Sequence, residues 1–240
     1  MQGKIKILIY LALWRRPEIT ELCFKGIERL KRHPDFDIQV LAVASEAEML
    51  PLCEKYGVHV VTHDNLPLGR KKNFGLKAAK SFEFDYLMEI GSDNLILSEL
   101  LDEYKKDFIG LQDFFGIADI VFIDTESESC RRVTRKRNHY GAGRMMSRAM
   151  LETLDFKMWP DMSGVSLDTS SVHRLATAGF FYRQVSAGEV PLVVDIKSQE
   201  NIWPFDHSLG GEYDINLILE KLSQAEVDAI KELRSVYAEK

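Results

Sequence analysis

A chain of 240 residues has room for one large domain or two small ones. Its 45% hydrophobic and 28% charged residues imply a buried core, and a formal net charge of -6 argues against a dedicated nucleic-acid binder. No apolar run approaches the roughly 20 residues that span a bilayer, so no integral membrane segment is expected, and the N-terminus lacks the apolar stretch and small-residue cleavage site of a signal peptide.

The first half alternates strands and helices. Lys6 to Leu13 is a short apolar run with almost no polar alternation, as in a buried strand. Pro17 suits a first helical turn, and Ile19, Leu22, Cys23, Ile27 and Leu30 recur at helical spacing until His33-Pro34 stops them. Ile38 to Ala44 predicts a second strand, with Ser45 and Glu48 as a capping box opening a helix. Val58 to Thr62 predicts a third strand and Lys71 to Lys80 a further helix. Tyr86 to Ile90 then reads as a strand that runs into the turn Gly91-Ser92-Asp93-Asn94. This succession implies a mostly parallel, doubly wound central sheet flanked by helices, whose right-handed crossovers bring the loops after Leu13, Thr62 and Ile90 to one rim. Ligands bind at that rim in open α/β sheets.

The second half is less regular. Ser98 begins a helix carrying Leu101, Tyr104 and Phe108, and Asp119 to Ile123 is a strand. Residues 124–139, with Arg131, Arg132, Arg135, Lys136 and Arg137, have no apolar period and predict a long polar surface loop. A short strand and helix over Arg144 to Leu154, a helix over Thr169 to Ala178, strands near Phe180 to Val185 and Val190 to Ile196, and a terminal helix follow. That last helix opens on a capping box, Ser223 and Glu226, with Val227, Ile230, Leu233 and Val236 as its stripe. With no linker or repeat, one domain over residues 1–240 is expected. Cys23, Cys53 and Cys130 lack metal-ligand spacing; Cys23 and Cys53 lie on apolar helical faces, and a reducing cytoplasm is the expected location.

Four segments stand in register: Trp14-Arg15-Arg16-Pro17 after the first strand; Gly69 to Gly75, with Arg70, Lys71, Lys72 and Asn73; Gly91 to Asn94; and Ser166-Leu167-Asp168 with His173-Arg174-Leu175 and Gly179. Each has an ordinary structural explanation. Ser92 to Asn94 could cap a following helix, as could Asp168, and basic residues at a helix start are often only solvated. In this order the segments resemble a family 2-like glycosyltransferase of the GT-A fold, over roughly residues 4 to 200. The resemblance implies a sugar moved from a nucleotide-diphosphate donor to a saccharide or other hydroxyl acceptor, with inversion.

On that resemblance Asp93 ligates a divalent cation, Mn or Mg, with Asn94 beside it, and Asp168 is the general base. Arg15, Arg16, Arg70, Lys72 and Asn73 are placed near the nucleotide. Gly143, in the glycine-containing stretch His139 to Arg144, lines the sugar pocket. His207 is a candidate late metal ligand or a packed residue, and Trp203 with Phe205 a platform for a sugar face or part of the core. The sequence departs from the family pattern at Gly91, where a first acidic residue is usual, and at Leu167, where Glu is. A nucleotidyltransferase is the alternative enzyme, weakened because no glycine follows the first strand. A non-catalytic nucleotide- or carbohydrate-binding relative is the other.

Overall fold

The computed structural model describes residues 3–127, 129–135, 140–164, 166–185, 188, 191–198, 200–201 and 205–238, with side chains of the last helix to residue 234. The elements are β1 (Ile5–Leu13), α1 (Pro17–Leu30), β2 (Phe36–Ala44), α2 (Leu50–Lys55), β3 (His59–Thr62), α3 (Leu68–Ala78), β4 (Tyr86–Gly91), β5 (Asn94–Ile96), α4 (Glu99–Asp107), β6 (Phe114–Ile117) and β7 (Asp119–Asp124). The chain continues with β8 (Cys130–Thr134), β9 (Arg144–Ser147), α5 (Arg148–Thr153), α6 (Leu167–Thr177), β10 (Arg183–Val185), β11 (Val193–Lys197), β12 (Gly211–Glu212), α7 (Asn216–Leu219) and α8 (Gln224–Ala238).

The main sheet has the order β10-β6-β9-β4-β1-β2-β3. Its β3-β2-β1-β4 half is parallel, and β9 runs antiparallel to both β4 and β6. β1 shows why this half was readable: Ile7, Ile9, Leu11 and Leu13 pack to one side, while Leu8 and Tyr10 pack to the other. A strand covered on both faces needs an unbroken apolar run. On the first side α1 contributes Cys23, Phe24, Ile27 and Leu30, and on the second α3 and α5 contribute Leu76, Met150 and Leu151.

A second sheet, β12-β8-β7-β11-β5, packs against the first through Ile96, Ile120, Phe122 and Val193. α8 closes it together with α1, through Ile19, Leu22, Ile230 and Leu233. The α8 capping box forms as expected: Ser223 N and Oγ donate to Glu226 Oε2 at 2.9 and 2.7 Å. The same carboxylate holds Arg29 of α1 at 3.0 Å.

Several expectations are corrected. Ser45 caps no helix; its hydroxyl donates to Asn65 Oδ1 at 3.3 Å, and α2 starts at Leu50 after a 3-10 turn, Ala47–Met49. Residues 130–134 are not loop but β8, an antiparallel partner of β7. Their charges hid the strand because Arg132 ion-pairs with Asp119 instead of facing bulk water. Lys136, Arg137 and His139 lie outside the described residues. β5 and β6 were not anticipated, both being too short to show a period. Among the described residues no helix is long and apolar enough to cross a membrane.

Candidate active site at the junction of the two sheets

The strand β4 belongs to the main sheet and β5 to the second, and only Ser92 and Asp93 separate them. The chain changes sheets within two residues, so Asp93 stands where the sheets part. A cavity of about 340 Å³ opens there. Its lining includes Ala12, Trp14 and Arg16 from the β1 end, Asn65 to Lys72 in part, Glu89 to Asn94, and Tyr140 to Ala142, Asp168 and Asp195. The three loop ends expected on one rim do meet in it.

No helix follows the turn, so the capping explanation of Ser92 to Asn94 fails. Asn94 instead folds back, its Oδ1 accepting from Gly91 N at 2.6 Å. A Cβ at Gly91 would lie 2.4 Å from Asp93 Oδ1 and 2.9 Å from Asn94 Oδ1, so a larger residue there would displace both side chains from their present positions.

Asp93 Oδ2 pairs with Arg16 Nη1 at 3.1 Å and accepts from Asn201 Nδ2 at 2.8 Å. Arg16 also donates to Ser92 Oγ at 3.3 Å. The approach uses strained backbone, since Arg15 and Arg16 both adopt left-handed conformations, φ 53° and 54°. Such conformations cost about 1–2 kcal/mol per non-glycine residue and collect at functional sites. Arg15 is exposed and stacks on Trp14 at 4.7 Å, outside the cavity lining.

Asp195 completes this side and was missed. β11 runs antiparallel to β5 with Asp195 opposite Asn94, which brings its carboxylate to the turn. Its Oδ2 accepts from Lys197 Nζ at 3.1 Å, while Oδ1 is buried with no hydrogen-bond partner. Burial pushes this acid up to about 7; Lys197 opposes the shift and Asp93 adds to it. The sequence signal was an aspartate inside the apolar run Leu192-Val193-Val194-Asp195-Ile196. A buried carboxylate oxygen without a partner is costly, and it is relieved by a proton or a cation. Asp93 and Asp195 offer oxygen only, which suits a hard divalent ion. Among the described residues no group of three His, Cys, Asp or Glu forms, so these two acids would need oxygen ligands from a substrate.

His207 does not join them: it is exposed, 3.4 Å from Ser129 Oγ and packed edge-on to Phe205. Trp203 lies outside the described residues. Asn73 is a scaffold residue. Its Nδ2 donates to Trp159 O and Asp161 Oδ1, both at 2.7 Å, and its Oδ1 accepts from Met158 N and Trp159 N, leaving it no part in the cavity lining. Arg70 is exposed and touches Met162 Sδ at 3.5 Å. Gly143, at φ 75°, packs toward Leu100 and Val193 and does not line the cavity; Gly141 does, where a Cβ would lie 2.6 Å from Asp168 Oδ1.

Lys72 lines the cavity with its ammonium on Glu89 and 4.3 Å above the Trp159 ring. Lys71, also in the lining, is fully buried and donates to Leu13 O at 2.5 Å and Asn65 Oδ1 at 3.0 Å. Burial lowers it to about 8, with Glu46 opposing. Arg135 reaches the cavity while stacked on Tyr140 at 4.2 Å.

Asp168 is not the cap of α6. Ser166 stands at the N-cap with φ 56° and no side-chain cap bond, and Asp168 lies one residue inside the helix. Its carboxylate is 37% exposed and 3.9 Å from Arg144 Nη2. It therefore faces the same cavity as Asp93 and Asp195 with room for a partner.

No family model matches the chain, and no curated protein matches its sequence. Solved structures match its fold. S. aureus TarS 1-349 superposes with a TM-score of 0.58 at 15% identity, over 80% of this chain and 60% of that one. The mannosyltransferase PcManGT from Pyrobaculum calidifontis, in complex with GDP-Man and Mn2+, gives 0.55 at 11% identity, over 81% and 57%. The fold is of the GT-A glycosyltransferase type. The inositol-1-phosphate CTP transferase from T. maritima also matches, with a TM-score of 0.51 at 12% identity over 98% of both chains. The chain thus spans less than two thirds of the length of the first two GT-A structures and nearly the whole of the third.

Proposed function

We propose that this protein is a glycosyltransferase that moves a hexosyl group from a nucleotide-diphosphate donor to an acceptor hydroxyl, with inversion and with a divalent cation. The observation that carries this reading is the cavity itself. Its lining holds Asp93, Asp195 with its unpartnered oxygen, and Asp168, which makes no capping bond. In this reading Asp93 and Asp195 would hold the cation, which when bound offsets negative charge on the leaving diphosphate. Arg16 brings fixed positive charge to the same end, and Lys72 and Arg135 add theirs elsewhere in the cavity lining. Asp168 accepts the proton of the acceptor hydroxyl as that oxygen attacks the anomeric carbon. PcManGT, bound to GDP-Man and Mn2+, gives one precedent on this fold for such a donor and cation. Three buried free cysteines agree with a reducing compartment, and we place the protein in the cytoplasm.

A nucleotidyltransferase is the second reading, favoured by the end-to-end match to the T. maritima enzyme. One panel separates the two. Sugar nucleotides are screened with Mn2+ for thermal stabilisation and for release of nucleoside diphosphate, and sugar phosphates with nucleoside triphosphates for release of pyrophosphate. Nucleoside diphosphate release supports the glycosyltransferase, and pyrophosphate release replaces it. No stabilisation by any nucleotide with metal present would refute both.

A further inference from the structure

Glu89 lies on β4 four residues before Asp93, and its carboxylate is 3% exposed. A carboxylate so buried must be paired. Its Oε1 takes the Lys72 ammonium, and its Oε2 takes the Arg144 guanidinium through Nη2 and, at 3.0 Å, Nε. Burial alone would raise this acid, but Arg144 and Lys72 outweigh burial and hold it below the usual carboxylate range.

Arg144 is fully buried on β9, directly across the ladder from Glu89. Its Nη1 donates to Ser171 Oγ at 2.9 Å, and that hydroxyl donates to the Asp168 carbonyl at 2.8 Å. The guanidinium therefore ties the sheet to the first turns of α6, the helix that carries Asp168. Its Nη2 is 3.9 Å from Asp168 Oδ1, within the Coulomb field of that acid but beyond hydrogen-bond range. Two carboxylates thus face one guanidinium, and the buried one holds its fork.

We propose that Glu89 is a positioning residue that holds Arg144 off Asp168 and so keeps the Asp168 carboxylate open to an incoming hydroxyl. A guanidinium closed on Asp168 would commit the lone pairs that the acceptor proton needs. The Lys72 arm makes the cluster of Glu89, Asp168, Arg144 and Lys72 neutral, so removing the Glu89 charge leaves two cations, one of them fully buried, and one remaining acid. The consequence for catalysis rests on the reading of Asp168 as the base; the hold on Arg144 does not.

The test separates those parts. Urea unfolding midpoints are measured for the parent chain, Glu89→Gln, Asp168→Asn and the double variant. In the parent, Asp168→Asn shifts the midpoint by less than about 0.2 M, because the side chain is half-exposed and loosely paired. In the Glu89→Gln background Arg144 turns to Asp168, and the same substitution lowers the midpoint by about 0.5–1 M. Equal shifts in the two backgrounds overturn the proposal. Should Glu89→Gln not fold, Glu89→Asp, with its shortened reach, is expected to give the same coupling at about half the size.

With an active sugar nucleotide, Glu89→Gln lowers kcat at least about 100-fold with donor KM changed less than about threefold. Adding Arg144→Met then restores kcat about tenfold or more, which a merely structural Glu89 would not allow. A loss that Arg144→Met does not relieve overturns the catalytic consequence. Coupling in the unfolding cycle without transfer by the parent would remove the proposed reaction and leave the hold on Arg144 supported.

Discussion

Two pairs of acids face one cavity, and the protein treats them differently. On the side of Asp168, the buried Glu89 is saturated from within by Lys72 and Arg144, and the exposed Asp168 is left half free. On the side of the sheet junction, Asp93 is held by Arg16 and Asn201, while Asp195 keeps one buried oxygen without a partner. A buried charge whose hydrogen bonds are all met inside the fold is scaffold. One left with an unmet oxygen in a cavity wall is suited to bind something from outside. The contrast separates positioning groups from binding groups, and substitution of each kind should give a different signature.

The largest effect is expected at Asp168. Asp168→Asn should lower turnover by about 10²–10⁴-fold, the range for losing a general base, while nucleotide-dependent stabilisation persists. Steady-state kinetics beside a thermal-shift titration measures both. Loss of nucleotide binding in that variant would make Asp168 a structural group and erase the contrast.

Lys71 supplies the next effect, because it is a buried cation in the same wall satisfied by neutral oxygens instead of carboxylates. Its folded pKa, about 8, lies below the ordinary 10.5. Between those values the unfolded chain binds more protons than the folded one, so stability rises with pH across that window. The gain amounts to at most about 3 kcal/mol. Below about pH 8 the cost of burying the ammonium is constant. Urea titrations from pH 7 to 10.5 should show that rise in the parent and a flatter profile in Lys71→Met. Equal slopes would mean that the ammonium is well solvated.

The junction side is tested by Asp195→Asn, which keeps shape and removes charge. Mn2+-dependent stabilisation by a nucleoside diphosphate should weaken roughly tenfold or more. Gly91→Ala should weaken it by a smaller factor, since its Cβ would press 2.4 Å from Asp93 Oδ1. Any Gly91 variant with improved metal affinity would contradict the account of the turn.

What the sequence disclosed follows the same physics. Strands buried on both faces, such as β1, announce themselves by continuous apolar runs, and α1 and α8 by their periods and caps. The short β5 and β6 carry too few residues for a pattern, and β8 hid behind arginines whose partners are distant in sequence. The family resemblance grouped Arg16, Lys72, Asn73, Asp93, Asn94 and Asp168 on one rim, and all but Asn73 line the cavity. It could not predict Asp195, Glu89 or Arg144. Their roles depend on which strand lies beside which, and that register is set by the whole sheet. Asn73 shows the converse: a residue type chosen for ligand binding turns out saturated by the backbone of residues 158 and 159 and the Asp161 side chain.

The smallest expected effect is at His207, and it is informative for that reason. The imidazole is exposed, rests against Phe205 and lies 3.4 Å from Ser129 Oγ, outside the cavity lining. A surface contact of that kind is worth within about 0.5 kcal/mol. His207→Ala should therefore leave stability, turnover and the Mn2+ response of the parent unchanged, while Asp195→Asn removes that response. If His207→Ala weakens metal binding instead, the segment carrying it must close over the cavity when a nucleotide binds. The cation would then take nitrogen as well as oxygen ligands, and the unmet oxygen of Asp195 would no longer be sufficient to explain it.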